Sequence, residues 1–154
     1  MRVIGIKPAK DRIDWVVVEG SRMEPDLLNA GVLKQPRGYL PPEWLAWLRS
    51  QLVLTLDEEA PDLAAIVGIE GNARATHALF PRLHAEAVAM ETCATKGVTP
   101  RHSTWPAVSA ALDVSRSKRE YAKADEFRGI ATSGLKPGQL DALHAATASL
   151  PEVR

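Results

Sequence analysis

Three short stretches of this 154-residue chain place charged or titratable side chains where chemistry can be built. The apolar run "VIGI" ends on Lys7, and the run "AIVGI" ends on Glu70. The stretch "DALH" sets Asp141 and His144 three residues apart, on one face of a helix. In open α/β sheets, sites gather at the carboxyl ends of strands. Carboxylates collected from strand ends and a helix would hold divalent ions. Two ions about 3.5–4 Å apart can activate a water and stabilise the leaving oxygen in phosphodiester cleavage. Magnesium demands hard oxygen ligands, so such sites are made of Asp and Glu. Lys7 is the anomaly, because a protonated lysine carries three donors and no lone pair. Each residue also has an ordinary role. Glu70 would serve as a solvated strand end and Lys7 as a turn lysine, and Asp141 suits the positive end of a helix. Their order along the chain makes the joint reading the stronger one.

The elements that must position these residues follow from hydrophobic spacing. "RVIGI" and "IDWVVVEG" are β-branched runs separated by "KPAKD", which predicts two strands in an antiparallel hairpin. A weaker third strand is expected within "PDLLNAGVLKQ". "RGYLPPEWLAWLRSQLVLTLDEEAP" predicts a helix with Pro42 in its first turn and a stripe of Leu45, Leu48, Leu52 and Leu56. "LAAIVGIEG" is nearly all apolar, as in a central strand buried on both faces. "ATHALFPRLHAEAVAMETCATKG" predicts a second helix, bent at Pro81 and stopped by Gly97. "VTPRHSTW" predicts a strand and "PAVSAALDV" a short helix. "SRSKREYAKADEFRG" reads as a charged loop. "KPGQLDALHAATASL" closes the chain as a helix whose buried stripe is Leu140, Leu143, Thr147 and Leu150. A hairpin meander followed by strand–helix alternation predicts one mixed sheet with helices on its faces. No repeat or linker marks a second domain, so residues 1–154 are expected to form one.

Composition sets the outer limits. The formal net charge is zero, which argues against a general polyanion binder but leaves room for a local basic patch. Such a patch is expected between Lys96 and Arg119, where Lys96, Arg101, Arg116, Lys118 and Arg119 face one acid, Asp113. The run could line phosphates or simply be a solvated loop. The single cysteine, Cys93, cannot form an internal disulfide and is expected to be a buried thiol. Trp15, Trp44 and Trp47 fall at core spacings, whereas Trp105 lies at a strand end beside the basic run. His77, His84 and His102 share no ligand spacing. No stretch reaches a membrane span and the first residues lack a signal peptide's pattern, so a cytoplasmic protein is expected.

The order of elements, with "GIK" (Lys7), "GIE" (Glu70) and "DALH" (Asp141, His144), resembles the RNase H-like superfamily, in particular its RuvC-type Holliday-junction-resolvase branch. That branch has a first strand ending "GID", a glutamate ending the fourth strand, and a last helix with D-x-x-D or D-x-x-H. The resemblance implies an α/β, RNase H-like fold with a five-stranded mixed sheet. It also implies a magnesium- or manganese-dependent endonuclease (a hydrolase) acting on branched or structured DNA or RNA, with pairing into a homodimer through the second helix. Glu70 and Asp141 would be metal ligands and His144 an auxiliary ligand or base. In a second register, Asp141 matches the later acidic position, Gly138 fills the earlier one and His144 has no counterpart. Lys7 stands where the resemblance implies the central metal-binding aspartate. It would then act as a counter-ion for Glu70 and Asp141, with cleavage weakened or lost, unless Asp11 or Asp14 reaches in as a substitute ligand. The alternative is a non-catalytic binding or scaffold protein that kept the fold.

Overall fold

The computed structural model describes residues 1–69, 74–114, 117, 121 and 123–152. The strands are β1 (Arg2–Pro8), β2 (Arg12–Gly20), β3 (Pro25–Lys34), β4 (Leu63–Val67) and β5 (Thr99–Ser103). They form one five-stranded sheet in the order β3-β2-β1-β4-β5. The pairs β1–β2 and β2–β3 are antiparallel, and β1–β4 and β4–β5 are parallel. The helices are α1 (Pro41–Glu59), α2 (Leu79–Thr95), α3 (Trp105–Leu112) and α4 (Pro137–Ala148). The expected mixed sheet is therefore present. Among the described residues, no helix is long and apolar enough to cross a membrane.

Side chains alternate across the sheet and divide the core in two. Val3, Val16, Val18, Ala65 and Val67 face α3 and α4. Ile4, Ile6, Ile13, Trp15, Val17 and Ile66 face α1 and α2. On α1, Trp44, Leu48, Leu52 and Leu56 are buried at four-residue spacing, with Leu45 packed beside them. Cys93 lies in the same cluster, and burial pushes its thiol up to about 11, so it is inert at neutral pH.

Three expectations need correction. Helix α2 is not bent at Pro81: it begins at Leu79, so Pro81 sits in the first turn, where the missing N–H costs nothing. Helix α4 buries more than its expected stripe, of which Leu143, Thr147 and Leu150 are buried and Leu140 is partly exposed. From Ala142 to Ala148 every residue is buried, because small side chains let the sheet, α3 and the segment holding Phe127 and Ile130 close round it. The end of the charged stretch is not a loop. Glu126–Phe127 (β6) and Ile130–Ala131 (β7) form a small hairpin. Its two turn residues, Arg128 and Gly129, both have positive φ, at 49° and 84°, as a tight two-residue turn needs. Phe127 and Ile130 anchor it in the α4-side core.

Helix α4 reaches the sheet through a glycine. A Cβ on Gly5 would overlap the Ala142 carbonyl oxygen and lie 2.7 Å from its carbon. This approach brings the start of α4 over the carboxyl end of β1.

Candidate functional site

Lys7 does not end its strand as the apolar run suggests. The ladder continues through it, with Lys7 opposite Asp14 and Pro8 opposite Ile13. Alternation turns Lys7 towards α4, on the same side as Val3 and Gly5. There its Nζ lies 3.4 Å from Asp141 Oδ2, with the two side chains 19% and 31% exposed. Asp141 also lines a narrow cleft with Val67, Ser103, Trp105, Val108 and Ala145, between the carboxyl ends of β4 and β5 and helices α3 and α4.

Asp14 stands behind this pair. It is 1% exposed and sits against the first turn of α4. A Cβ on Gly138 would collide with its carboxylate, at 2.7 Å from Cγ. Asp14 therefore fills the volume that a side chain at position 138 would need. Arg12 Nε approaches Asp14 Oδ2 at 3.3 Å. Arg12 Nε makes ionic contact there without an aligned hydrogen bond, and the other carboxylate oxygen, Asp14 Oδ1, has no hydrogen-bond partner among the described residues. Burial pushes the Asp14 carboxyl above the ordinary range, against the opposing pull of Arg12, Lys136 and Lys7. Asp11 goes elsewhere: it lies in the β1–β2 turn and lines a cavity on the α1–α2 side.

His144 is 5% exposed. Its ring centroid is 4.7 Å from that of Phe127 and 5.8 Å from those of Trp105 and Tyr121. That is the surrounding of a packed core ring, and Trp105 belongs to it. Glu70, Arg116, Lys118 and Arg119 lie outside the described residues. The strand that precedes Glu70, β4, is paired with β1 as expected. Arg101 is exposed on the edge strand β5. Lys96 lies elsewhere: it pairs with Asp57 at 2.5 Å, beyond the end of α2 and at the amino-terminal edge of the parallel strands. The structure brings together Lys7, Asp14 and Asp141, and leaves Lys96 at the other end of the sheet.

One pairing had no signal in the sequence. His102 Nε2 lies 2.7 Å from Glu86 Oε1, joining β5 to α2. Sixteen residues separate them, and only the packing of the helix on the strand makes them neighbours.

Among the described residues, no three His, Cys, Asp or Glu side chains converge as a metal site would require. The charge is also wrong: a lysine ammonium occupies the position facing Asp141. These residues do not fit a divalent ion. What they offer is a fixed cation held between a half-exposed and a buried carboxylate.

No protein-family model and no curated protein sequence matches the chain. Solved structures do. RuvC of Thermus thermophilus aligns at a TM-score of 0.81 with 20% identity, over 96% of this chain and 92% of that one. The same enzyme in complex with a Holliday junction substrate aligns at 0.79 with 18% identity, over 96% and 91%. The yeast mitochondrial Holliday junction resolvase Ydc2 aligns at 0.65 with 12% identity, over 95% and 76%. The chain thus carries the RuvC-like form of the RNase H-like fold.

Proposed function

We propose that the chain is a RuvC-like nucleic-acid-processing protein of metal-dependent endonuclease ancestry that acts on branched or structured DNA or RNA, with cleavage weakened or lost at Lys7. The observation that carries this reading is the Lys7–Asp141 ion pair, 3.4 Å long, at the carboxyl edge of the sheet. A cation held there repels a divalent ion and satisfies the carboxylate that would bind it. The likeness to a RuvC solved with a Holliday junction supports branched DNA as the partner. The basic run from Lys96 to Arg119 would supply phosphate contacts, through Arg101 on β5 and through Arg116, Lys118 and Arg119. Lys96, tied to Asp57, is the weakest member of that set. The proposed setting is the cytoplasm and the proposed state a homodimer. Glu70 is the remaining proposed carboxylate of the centre, and His144 is retained only as a packed ring beside it. Magnesium or manganese would be needed only by a variant with the lysine removed.

The test is a gel-shift and cleavage assay on a four-way junction and a linear duplex. The expected result is preferential junction binding that weakens steeply with salt, because neutralised phosphates release counterions, and no cleavage in magnesium. Robust cleavage would mean that another residue, Asp14 first, completes a working centre. No binding at low salt would leave the non-catalytic scaffold.

A further inference from the structure

Charge at the carboxyl edge of the sheet extends past Lys7 onto β2 and β3. Arg12 and Lys34 stand directly opposite each other across that strand pair. One step further on, Gln35 N–H donates to Asp11 O at 2.8 Å. Arg12 and Lys34 are therefore a non-hydrogen-bonded pair, the kind whose Cα atoms are only about 4.5 Å apart. Alternation puts both on the face of Asp14, which pairs with Lys7 on the next strand. Lys136 reaches the same carboxylate from the start of α4. Burial pushes the Asp14 carboxyl up, and Arg12, Lys136 and Lys7 pull against it, so cations from β2, α4 and β1 all act on one group.

Like charges directly opposite on a sheet are destabilising. The other end of the same ladder shows how the fold relieves that cost. There Glu19 faces Asp26, and Arg2 answers Glu19 at 3.6 Å. At the carboxyl edge Arg12 has Asp14 at 3.3 Å, yet its side chain is still 40% exposed. Lys34 and Lys136 are exposed and make no ion pair among the described residues. The carboxylates of this face, Asp14 and Asp141, are outnumbered by Lys7, Arg12, Lys34 and Lys136. Asp11 belongs to the opposite face, where it lines the α1–α2 cavity. Backbone register thus holds an excess of positive charge beside the Asp141 cleft, with no protein group to answer it.

We infer that Arg12, Lys34 and Lys136 hold backbone phosphates of the bound nucleic acid, without a divalent ion. A guanidinium fork matches phosphate oxygens in pairs, and ammonium groups add point charges from either side. The cluster lies across Asp14 from Lys7, on the other flank of the site from Arg101 on β5. A strand would therefore be gripped on both sides of the closed centre. The inference rests on the reading of the chain as a branched-nucleic-acid binder, and it adds contacts outside the basic run from Lys96 to Arg119.

The experiment measures affinity for a four-way junction in EDTA over a series of salt concentrations. It compares the natural chain with Lys34→Gln, Lys136→Gln, the double variant and Arg49→Gln, an equal loss of charge on the exposed side of α1. The Tm of each protein is measured alongside. Lys34→Gln and Lys136→Gln should each remove one phosphate contact. The slope of log affinity against log salt should then flatten by about 0.9, with a loss of roughly eightfold at about 0.1 M salt. The double variant should lose both increments. Tm should hold or rise, since repulsion is removed and no partner is orphaned. Arg49→Gln should leave the slope unchanged. If both lysine variants keep the slope and affinity of the natural chain, the inference falls and the proposed function stands. If the natural chain binds no branched strand at low salt, the proposed function falls and takes the inference with it. Binding that appears only when magnesium is added overturns the inference. So does an equal loss from Arg49→Gln, which would mean that net charge alone is felt. Saturable binding of inorganic phosphate as tight as that of the junction, lost in Lys34→Gln, would assign the cluster to a free anion and overturn it as well.

Discussion

The two faces of the sheet meet the same carboxyl edge and treat it in opposite ways. On the α4 side, charge is concentrated and the space is filled: Lys7 meets Asp141, Asp14 lies under Gly138, and α4 touches β1 through Gly5. On the α1–α2 side the edge is apolar and open, with a cavity lined by Trp44, Leu45 and Phe80. At this edge the open space and the concentrated charge lie on opposite faces. The place at which the resemblance implies a metal is closed by its own counter-ions, and the unfilled volume lies across the sheet.

Breaking the filled face should produce the largest effects. Gly5→Ala pushes a methyl into the Ala142 carbonyl, and neither backbone can give way without moving α4. Overpacking of this kind costs up to about 3 kcal/mol or more, which in a chain of this size lowers the Tm by roughly 6–12 °C. Calorimetry should show that loss, and an unchanged Tm would mean that α4 is free to shift.

Asp14 makes the filled face sensitive to pH. Its folded carboxyl lies above the ordinary value of 3.8, so the folded chain holds that proton more tightly than the unfolded chain. The stability contributed by this group is fully present below that value and is lost as pH rises through the raised one. At neutral pH the ionised, desolvated carboxylate is therefore a cost. Asp14→Asn should match or exceed the natural chain in Tm at pH 7, and the advantage should shrink as pH falls towards 4. An advantage that grows on acidification would reverse the assignment. Asp14→Ala should be worse than Asn, since it leaves Arg12 Nε buried beside a void.

Lys96 marks the smallest effect. Its pair with Asp57 is surface-exposed and remote from Lys7. Lys96→Ala should cost about 0.2–1 kcal/mol and leave junction affinity unchanged in a gel shift. Arg101→Ala, on the edge strand beside β4, should weaken it. Equal losses from both would place the strand across the whole edge β5 rather than at one end of it.

Much of this was legible in the sequence where period and punctuation agree. The alternation in "RVIGI" and "IDWVVVEG", the all-apolar "LAAIV" and the four-residue spacing from Trp44 to Leu56 each specify an element and its buried face. The β6–β7 hairpin was hidden because its turn puts Arg128, not glycine, at the first positive φ. The all-round burial of α4 was hidden because alanines carry little periodic signal. The pairing of Lys7 with Asp141 followed from the resemblance. The placing of Asp14 under Gly138 did not, since it depends on where α4 crosses β2. His144 lay beyond any local pattern too, because its ring partners come from residues 105, 121 and 127.

In the proposed function, the Lys7 ammonium stands in for the charge of a metal. The decisive measurement is a calorimetric titration of manganese into the natural chain and into Lys7→Asp, side by side at neutral pH. The exchange removes a cation and adds a hard oxygen donor between Asp14 and Asp141, a site well suited to a divalent ion. The natural chain should show no saturable binding, and Lys7→Asp should bind manganese and gain Tm as the ion is added. Saturable binding by the natural chain, or none by Lys7→Asp when it is folded, would contradict the account.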